Sequence, residues 1–191
     1  MGARLDRRTM PAMRPDQLLY LDFDGVLHHH EVYIDEHNRP YLRGPGALFE
    51  YAGRLEAVLD PYPDARIVLS TSWVRIKGFG NACRRLPYAL RSRVIGATWH
   101  SAFAQDSEFA RWWACEASRY AQIAGDVARR EPRDWVALDD DDIGWPSEAR
   151  RHLVACDPQF GLGDHGTRLA LEHRLRRWAG SGEESPHESA T

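Results

Sequence analysis

Residues 18–27 of the chain read LLYLDFDGVL, and this stretch decides the fold. The apolar run at its start predicts a buried strand, and Gly25 lets the chain turn sharply after that strand. Residues two apart in an extended segment point to the same side, so Asp22 and Asp24 can face one small site. Open α/β sheets carry their chemistry at such strand ends. Two carboxylates this close need a cation, a shared proton or separate roles.

The length and composition indicate one globular domain. The chain has 191 residues, of which 43% are hydrophobic and 28% charged, and its formal net charge is -3. A negative net charge argues against a large nucleic-acid-binding surface, although not against a local basic patch. Cys83, Cys115 and Cys156 lie far apart without a CxxC pair, which favours a reducing, cytoplasmic location. No apolar run approaches the roughly 20 residues that span a bilayer, so no membrane partner is expected.

The two ends of the chain differ in composition from its centre. Residues 1–15 carry four arginines and two prolines and predict a flexible N-terminal arm. Residues 180–191 are polar, with little to bury, and predict a disordered C-terminal tail. The folded domain is therefore expected at residues 16–179.

Strand and helix patterns alternate along this domain. Five apolar runs predict strands at 18–22, 66–70, 93–97, 135–139 and 152–156. Most are nearly continuous in apolar character, which is typical of parallel strands buried on both faces. Helical spacing of apolar residues is found at 48–59, 109–127 and 171–178, with Thr167 as the expected N-cap of the last helix. The alternation predicts a three-layer, doubly wound, Rossmann-like α/β fold around a central, mainly parallel five-stranded sheet.

Residues 26–44 interrupt the alternation. Two short segments, Val32–Ile34 and 39–42, flank a polar turn and predict a β-hairpin. A hairpin directly after the aspartate pair is well placed to cover it as a flap. One of the three histidines at 28–30 could line the site, but no zinc-ligand spacing follows them. The remaining connections leave no room for a separate cap domain.

Polar side chains follow two further predicted strands. Hydroxyl residues at 70–72 follow the second strand, and four successive aspartates at 139–142 follow the fourth. Arg119 precedes the fourth strand, in the helix that leads into it. The ends of parallel strands share one edge of the sheet, so we expect these groups to converge with Asp22 and Asp24.

In this order the motifs resemble the haloacid dehalogenase-like (HAD) superfamily of phosphohydrolases. The matching features are Asp-x-Asp-Gly at 22–25, a hydroxyl, a basic residue and an acidic pair, and the resemblance covers roughly residues 17–178. The local forms LSTSW at 69–73, LDDD at 138–141 and DPQFGL at 157–162 are similar to a small capless branch. That branch includes HAD domains associated with RNA-repair proteins.

The resemblance implies a role for each motif. Asp22 would attack phosphorus and form an aspartyl-phosphate, and Asp24 would protonate the leaving oxygen and then activate water. Thr71 would bind the phosphoryl oxygens, with Ser70 as the alternative. Arg119 would offset negative charge, although the superfamily commonly has lysine there.

Two assignments stay open at this point. Arg111 and Lys77 are alternatives to Arg119 as the basic residue. By resemblance, Mg²⁺ would be held by Asp22, the main-chain carbonyl of Asp24, and Asp139 or Asp140. The next two aspartates, 141 and 142, would be solvated or cap the following turn.

The resemblance implies a Mg²⁺-dependent phosphatase. Its phosphorylated substrate would be large, RNA or DNA ends included, because a site without a cap is open. The arginines of the N-terminal arm are compatible with contact to a phosphate backbone. The alternatives are a non-catalytic or regulatory HAD-fold binding module and a phosphotransferase, and the intact Asp22 and Asp24 argue against the binding module. The tryptophans at 73, 99, 112 and 113 are expected to pack in the core or at its rim, with stacking on nucleic-acid bases as the alternative.

Overall fold

The computed structural model describes residues 17–179 and has a parallel sheet at its centre. The strands of this part of the chain are β1 (Gln17–Leu21), β2 (Val32–Ile34), β3 (Pro40–Leu42), β4 (Arg66–Leu69), β5 (Val94–Ala97), β6 (Asp134–Asp139) and β7 (Leu153–Ala155). Five of these strands form the sheet in the order β5-β4-β1-β6-β7, and every pair in it is parallel. The bounds of all five predicted strands are confirmed to within one residue at each end.

Helices connect the strands and cover both faces of the sheet. Those of the described part are α1 (Ala52–Leu59), α2 (Ser72–Lys77), α3 (Phe79–Arg85), α4 (Tyr88–Arg91), α5 (Ser107–Cys115), α6 (Arg119–Arg130) and α7 (His165–Ala179). Strands alternating with helices around a parallel sheet confirm the predicted Rossmann-like α/β fold. In residues 17–179, no helix has both the length and the apolar character that a membrane span requires.

The residues of β1 show why the core has three layers. Leu19 and Leu21 pack with Leu55 of α1 on one face of the sheet. Leu18 and Tyr20 belong to a second cluster on the opposite face, where α6 packs. All are fully buried, and each such side chain contributes about 1.5–3 kcal/mol when it leaves water. An unbroken apolar run is therefore what a strand between two helical layers requires.

Two helix predictions are wrong in detail. The stripe at 109–127 is divided between α5 and α6, because the Ser118 side chain accepts from the backbone of Ala121 at 3.2 Å and caps a new helix. The last helix begins at His165, and Asp164 accepts from the backbone of Thr167 at 2.6 Å. Asp164 is therefore its cap, and Thr167 lies in the first turn.

The predicted hairpin is present directly after the first motif. Strands β2 and β3 pair antiparallel, with Tyr33 opposite Tyr41. In the turn between them, Asp35 Oδ1 accepts from the backbone of His37 at 2.9 Å and of Arg39 at 2.7 Å. Between β1 and β4 the described chain holds this hairpin and α1, with no further element that could form a cap domain.

Three earlier expectations are not tested by the fold. The predicted arm at 1–15 and tail at 180–191 lie outside the described residues. All three cysteines are free thiols. The cytoplasmic location stays a prediction.

Candidate active site

The ends of β1, β4 and β6 meet at one edge of the sheet. Asp22 directly follows β1, Thr71 lies two residues beyond β4, and Asp139 is the last residue of β6. The backbone of Asp22 donates to the carbonyl of Leu138 at 3.1 Å, which fixes the end of β1 against β6. Strand β1 lies between β4 and β6, so side chains from distant parts of the sequence come together here.

Three carboxylates form the centre of the site. Asp22, Asp139 and Asp140 each offer one oxygen, and these oxygens lie within 4.8 Å of one another. Burial raises the pKa of Asp22 and raises that of Asp139 well above its usual value. Burial and the charge of Asp22 together raise the pKa of Asp140 to about 6. The clustered negative charge favours a bound cation or proton.

Arg119 connects two of these carboxylates. Its Nη2 donates to Asp22 Oδ2 at 3.1 Å, and its Nε lies 3.0 Å from Asp139 Oδ2. Burial disfavours the charge of the guanidinium, but the carboxylates of Asp22 and Asp139 outweigh burial and raise the pKa of Arg119. As the first residue of α6, Arg119 is positioned by the helix start that Ser118 caps.

The three side chains fit a hard divalent cation such as Mg²⁺. They offer only carboxylate oxygens, which hard cations prefer. Asp139 Oδ2 is buried. It lies 3.0 Å from Arg119 Nε and forms an ion pair with it, but the geometry of this contact is not that of a hydrogen bond, and no other described residue donates to the oxygen. A buried oxygen without such a partner is unfavourable, and a cation would supply the partner. The main-chain carbonyl of Asp24 as a further ligand stays a prediction.

The carboxylate of Asp24 is held by its own donors, outside this group of three. Its Oδ1 accepts from Trp73 Nε1 at 2.8 Å and from His28 Nε2 at 3.0 Å. His28 is fully buried, and its Nδ1 accepts from the backbone of Phe49 at 3.2 Å, so the ring proton lies on Nε2. From the sequence, Trp73 is expected to pack or to stack on bases, and one of the histidines at 28–30 is expected to line the site without a choice among them; contact of either residue with Asp24 is not predicted. The spacing of four residues from Asp24 was the one available signal.

The structure separates the two candidate hydroxyls. The hydroxyl of Thr71 hydrogen-bonds to the Asp22 carboxylate and opposes part of the rise in the pKa of Asp22 that burial causes. Its Oγ1 also accepts from the backbone of Trp73 at 3.4 Å as the cap of α2. Ser70 Oγ is buried and has no hydrogen-bond partner within residues 17–179. Thr71, rather than Ser70, is therefore the hydroxyl beside Asp22.

The alternative basic residues lie elsewhere. Arg111 is exposed and pairs with Glu116 at 3.5 Å. Lys77 Nζ donates to the backbone carbonyl of Asn38 at 2.9 Å and also to its side chain, so it joins α2 to the hairpin turn. Neither contact involves the carboxylate group, in contrast to those of Arg119.

The four successive aspartates have three different surroundings. The first two, 139 and 140, belong to the carboxylate group. Asp141 Oδ1 accepts from the backbone of Ile143 at 3.0 Å, and Asp142 pairs with Arg150 at 3.1 Å. Asp141 therefore caps a turn, and Asp142 forms an ion pair that is half exposed to solvent.

Gly25 lets the first motif approach the acidic strand end closely. Its φ is +68°, a backbone conformation that residues other than glycine rarely adopt. A Cβ at this position would lie 2.2 Å from Asp140 Oδ2. The glycine thus permits both the turn after Asp24 and the position of Asp140.

The DPQFGL segment at 157–162 packs against the loop that follows the first motif. The backbone of Leu162 donates to the carbonyl of Val26 at 2.9 Å, and that of His30 donates to the carbonyl of Pro158 at 3.0 Å. The segment therefore supports the loop between the aspartate pair and the hairpin.

The hairpin borders the site on the side of Asp24. A cavity of about 120 Å³ lies between the hairpin and α2 and is lined by Asp24, Val32, Ile34 and Trp73 among others. The predicted position of a flap beside the aspartate pair is confirmed in this respect.

Comparison with known proteins gives one family. The family described as "HAD domain in Swiss Army Knife RNA repair proteins" matches residues 18–166, which hold β1 from its second residue, the hairpin and all three strand ends of the site. No curated protein and no solved structure matches the chain. The family match spans most of the sequence and includes the carboxylates, the hydroxyl and the arginine described above. The chain therefore belongs to the family of HAD domains found in Swiss Army Knife RNA repair proteins.

Proposed function

We propose that the protein is a Mg²⁺-dependent phosphatase that works through an aspartyl-phosphate on Asp22. Membership of a HAD family indicates phosphohydrolase-type chemistry in general. The observation that carries the finer proposal is the different surroundings of the two motif carboxylates. Asp22 shares a buried space with Asp139 and Asp140, whereas Asp24 accepts from donors of its own. A nucleophile and an acid need such separate environments.

In the first step, a carboxylate oxygen of Asp22 attacks phosphorus and the ester bond to phosphorus breaks. Asp24 gives its proton to the leaving oxygen. Both donors to Asp24 bind Oδ1, so Oδ2 is the oxygen that carries this proton. Arg119 and the hydroxyl of Thr71 stabilise the negative charge on the phosphoryl oxygens.

In the second step, Asp24 is a carboxylate and accepts a proton from water as that water attacks phosphorus. The bond between phosphorus and Asp22 then breaks, and inorganic phosphate leaves. Asp22 returns as a carboxylate and Asp24 as an acid, so the cycle closes without a further reactant. A Mg²⁺ ion bound by Asp22, Asp139 and Asp140 would neutralise charge on the nucleophile and the phosphate.

We propose a large phosphoester as substrate, in particular the phosphorylated end of RNA or DNA. In support, the described chain has no cap domain over the carboxylates. The open cleft beside them is lined by Arg75 as well as Arg119. The matching family is named for proteins of RNA repair. A cytoplasmic location belongs to the same proposal and agrees with three free cysteines.

The test is phosphate release from p-nitrophenyl phosphate and from 5′- and 3′-phosphorylated oligonucleotides, with Mg²⁺ and with EDTA. Asp22→Asn should abolish release, and EDTA should do the same to the wild type. Asp142→Asn is the matched control, because it removes the same charge from an exposed ion pair with Arg150. It should retain wild-type activity.

Each alternative function has its own result. Equal activity of Asp22→Asn and the wild type would rule out Asp22 as nucleophile. No release from any substrate would favour the non-catalytic binding module. Phosphoryl transfer to an added alcohol in preference to water would identify a phosphotransferase.

A further inference from the structure

A second cavity, of about 250 Å³, lies beside α6 and is not used by the proposed mechanism. Four of its walls are aromatic: Phe103, Phe109, Trp112 and Trp113. Within the described chain, none of the proposed catalytic side chains lines it. It lies along α6 from Ala121 to Arg129 and shares no lining residue with the cavity beside the hairpin.

The cavity holds a buried polar group without a partner. Thr98 is 3% exposed and lines the cavity, and its Oγ1 has no hydrogen-bond partner among residues 17–179. The amide of Gln122, in contrast, donates to the carbonyl of Trp113 at 2.9 Å and accepts from Arg119 at 3.2 Å. A buried hydroxyl is unfavourable without a partner and can both donate and accept. The Thr98 hydroxyl is therefore available to a ligand.

Two of the aromatic side chains are open to solvent. Trp112 is 41% and Phe109 36% exposed, whereas Trp113 is 5% exposed and packs in the interior. Trp113 packs in the core and Trp112 at its rim, where its ring centroid lies 5.6 Å from that of Phe109, and both positions agree with the expectation from the sequence. Exposed aromatic rings that border a cavity favour a flat, polarisable ring as ligand.

Two residues form a wall between the cavity and the cleft beside the carboxylate site. Gln122 and Trp113 line the cavity and also the cleft that Arg119 lines. Arg119 in turn donates to both Gln122 and Asp22. The cavity and the cleft beside Asp22 therefore share a wall, and Arg119 contacts both that wall and the Asp22 carboxylate.

Basic side chains border the cavity on its outer side. His100 and Arg129 line it and also line an adjoining open depression of about 700 Å³, to which Arg75 contributes. The one carboxylate of the cavity, Asp126, is balanced by Arg129 and by Arg130 Nε at 2.6 Å. Burial and the charge of Arg129 lower the pKa of His100, so the positive charge here comes from the two arginines that face the single carboxylate. That excess favours a ligand that carries negative charge next to its ring.

We propose that this cavity binds one nucleobase of the phosphorylated substrate, which is then the terminal nucleotide of a single strand. The ring would stack against Trp112 and Phe109 and would hydrogen-bond to Thr98. The identity of the substrate rests on the proposed phosphatase function, whereas base binding at the cavity can be measured without turnover.

The test is calorimetric titration of Asp22→Asn, in which turnover is blocked, in the presence of Mg²⁺. The probes are adenosine 5′-monophosphate, adenosine 3′-monophosphate, ribose 5-phosphate and phosphotyrosine. We expect at least one adenosine monophosphate to bind about tenfold more tightly than ribose 5-phosphate, since stacking on an aromatic side chain contributes that much per base. The added substitution Trp112→Ala should remove this difference and leave ribose 5-phosphate unaffected.

Two further variants separate a direct role from a loss of folding. Thr98→Val keeps the shape of a buried side chain and should weaken only the adenosine monophosphate. Tyr88→Ala removes an aromatic ring that is 76% exposed on α4 and should change neither affinity. The melting temperature of each variant reports whether it folds.

The outcomes distinguish this inference from the proposed function. Equal affinity for nucleotide and ribose 5-phosphate, or a nucleotide affinity that survives both Trp112→Ala and Thr98→Val, would overturn the base site. Tighter binding of phosphotyrosine than of either nucleotide would do the same. Base-dependent binding together with no phosphate release by the wild type would support the cavity and reject the phosphatase.

Discussion

His28 donates from Nε2 to Asp24 Oδ1 at 3.0 Å while its other ring nitrogen accepts from the backbone of Phe49. Phe49 has a φ of +63°, in the left-handed region, which costs about 1–2 kcal/mol for such a residue. The strained backbone directs an N–H at the histidine, which fixes the ring proton on the side of Asp24. The rotamer of the proposed acid is thus set by a side chain four positions later in the sequence.

Trp73→Phe should lower kcat about tenfold with little change in KM. The substitution removes one N–H donor to Asp24 but keeps an aromatic ring against Phe23 and Phe49. A mispositioned acid loses part of the roughly 10²–10⁴-fold that general acid catalysis contributes. The measurement is steady-state kinetics with a phosphorylated oligonucleotide.

His28→Ala should act in the same direction as Trp73→Phe, and His37→Ala, in an exposed part of the hairpin turn, is its control. A leaving group that needs no proton, such as p-nitrophenolate, should reduce the effect of both substitutions. An unchanged kcat for Trp73→Phe with a poor leaving group would contradict the positioning role.

Arg119→Ala should lower kcat by about 10²–10³-fold and reduce stability by about 3 kcal/mol. It leaves the buried carboxylates of Asp22 and Asp139 without their cation, and removing one partner of a buried pair is strongly destabilising. Kinetics and urea unfolding without metal measure the two effects. Arg111→Ala, an exposed arginine paired with Glu116, is the control and should be neutral.

Arg119→Lys should recover part of both losses. Lysine keeps the charge but cannot contact two carboxylates as a planar fork does. An alanine variant as active as the lysine variant would show that the charge at this position is not used.

Gly25→Ala should weaken Mg²⁺ binding by at least about tenfold, because the added Cβ would lie 2.2 Å from Asp140 Oδ2 at a φ of +68°. The measurement is the rise in melting temperature with added Mg²⁺, which should be smaller than in the wild type.

The matched control for this variant is Gly53→Ala in α1, where an added Cβ meets nothing within 4 Å. That substitution should stabilise the protein by about 0.5–1 kcal/mol through helix propensity and leave the Mg²⁺ response unchanged. Full Mg²⁺-dependent stabilisation of Gly25→Ala would contradict the proposed role of Asp140.

His152 should make the protein less stable as pH falls from 7 towards 5. Its ring stacks on Trp135 at 4.2 Å, and burial lowers its pKa below 6.5, although the nearby Asp134 opposes this and Arg151 and Arg177 add to it. The unfolded chain then binds a proton that the folded chain binds more weakly. Stability is therefore present above pH 6.5 and is lost as pH falls through the interval down to the lowered pKa.

The measurement is the free energy of unfolding at several pH values in wild type and His152→Phe, which keeps a ring against Trp135. The free energy of unfolding of the variant should depend less steeply on pH than that of the wild type. The difference in slope should be smaller than the about 1.4 kcal/mol per pH unit that one proton gives. Asp22 and its neighbours titrate in the opposite sense, so both proteins are compared with Mg²⁺ present. Identical slopes would contradict the lowered pKa.

The sheet and the convergence of its strand ends could be predicted from the sequence. Parallel strands end at a common edge, so Asp22, Thr71 and Asp139 come together whatever the details of the loops. The choice of Arg119 over Lys77 needed the three-dimensional structure. The Lys77 side chain points from α2 to the hairpin turn, where it donates to Asn38. The orientation of α2 that directs it there depends on tertiary packing.

Other features could not be predicted from the sequence, because neighbouring residues compete for the same cap or because the backbone conformation decides the contact. Phe109 to Val127 keeps a helical spacing across a break, since a capping serine ends one helix and starts another without disturbing the apolar period. Likewise, Asp164 and Thr167 are both good capping residues, and the backbone decides between them. The hydrogen bond between His28 and Asp24 depends on the left-handed backbone of Phe49, whose N–H orients the histidine ring. No pattern in the sequence predicts that backbone conformation.

The bonds from Lys77 to Asn38 join the hairpin turn to α2, the helix that also carries Trp73. Lys77 lies one helical turn after Trp73, and Trp73 donates to the Asp24 carboxylate. The hairpin turn and the carboxylate of the proposed acid are thus attached to opposite ends of one short helix. A displacement of the turn would therefore be transmitted to Asp24 through the backbone of α2.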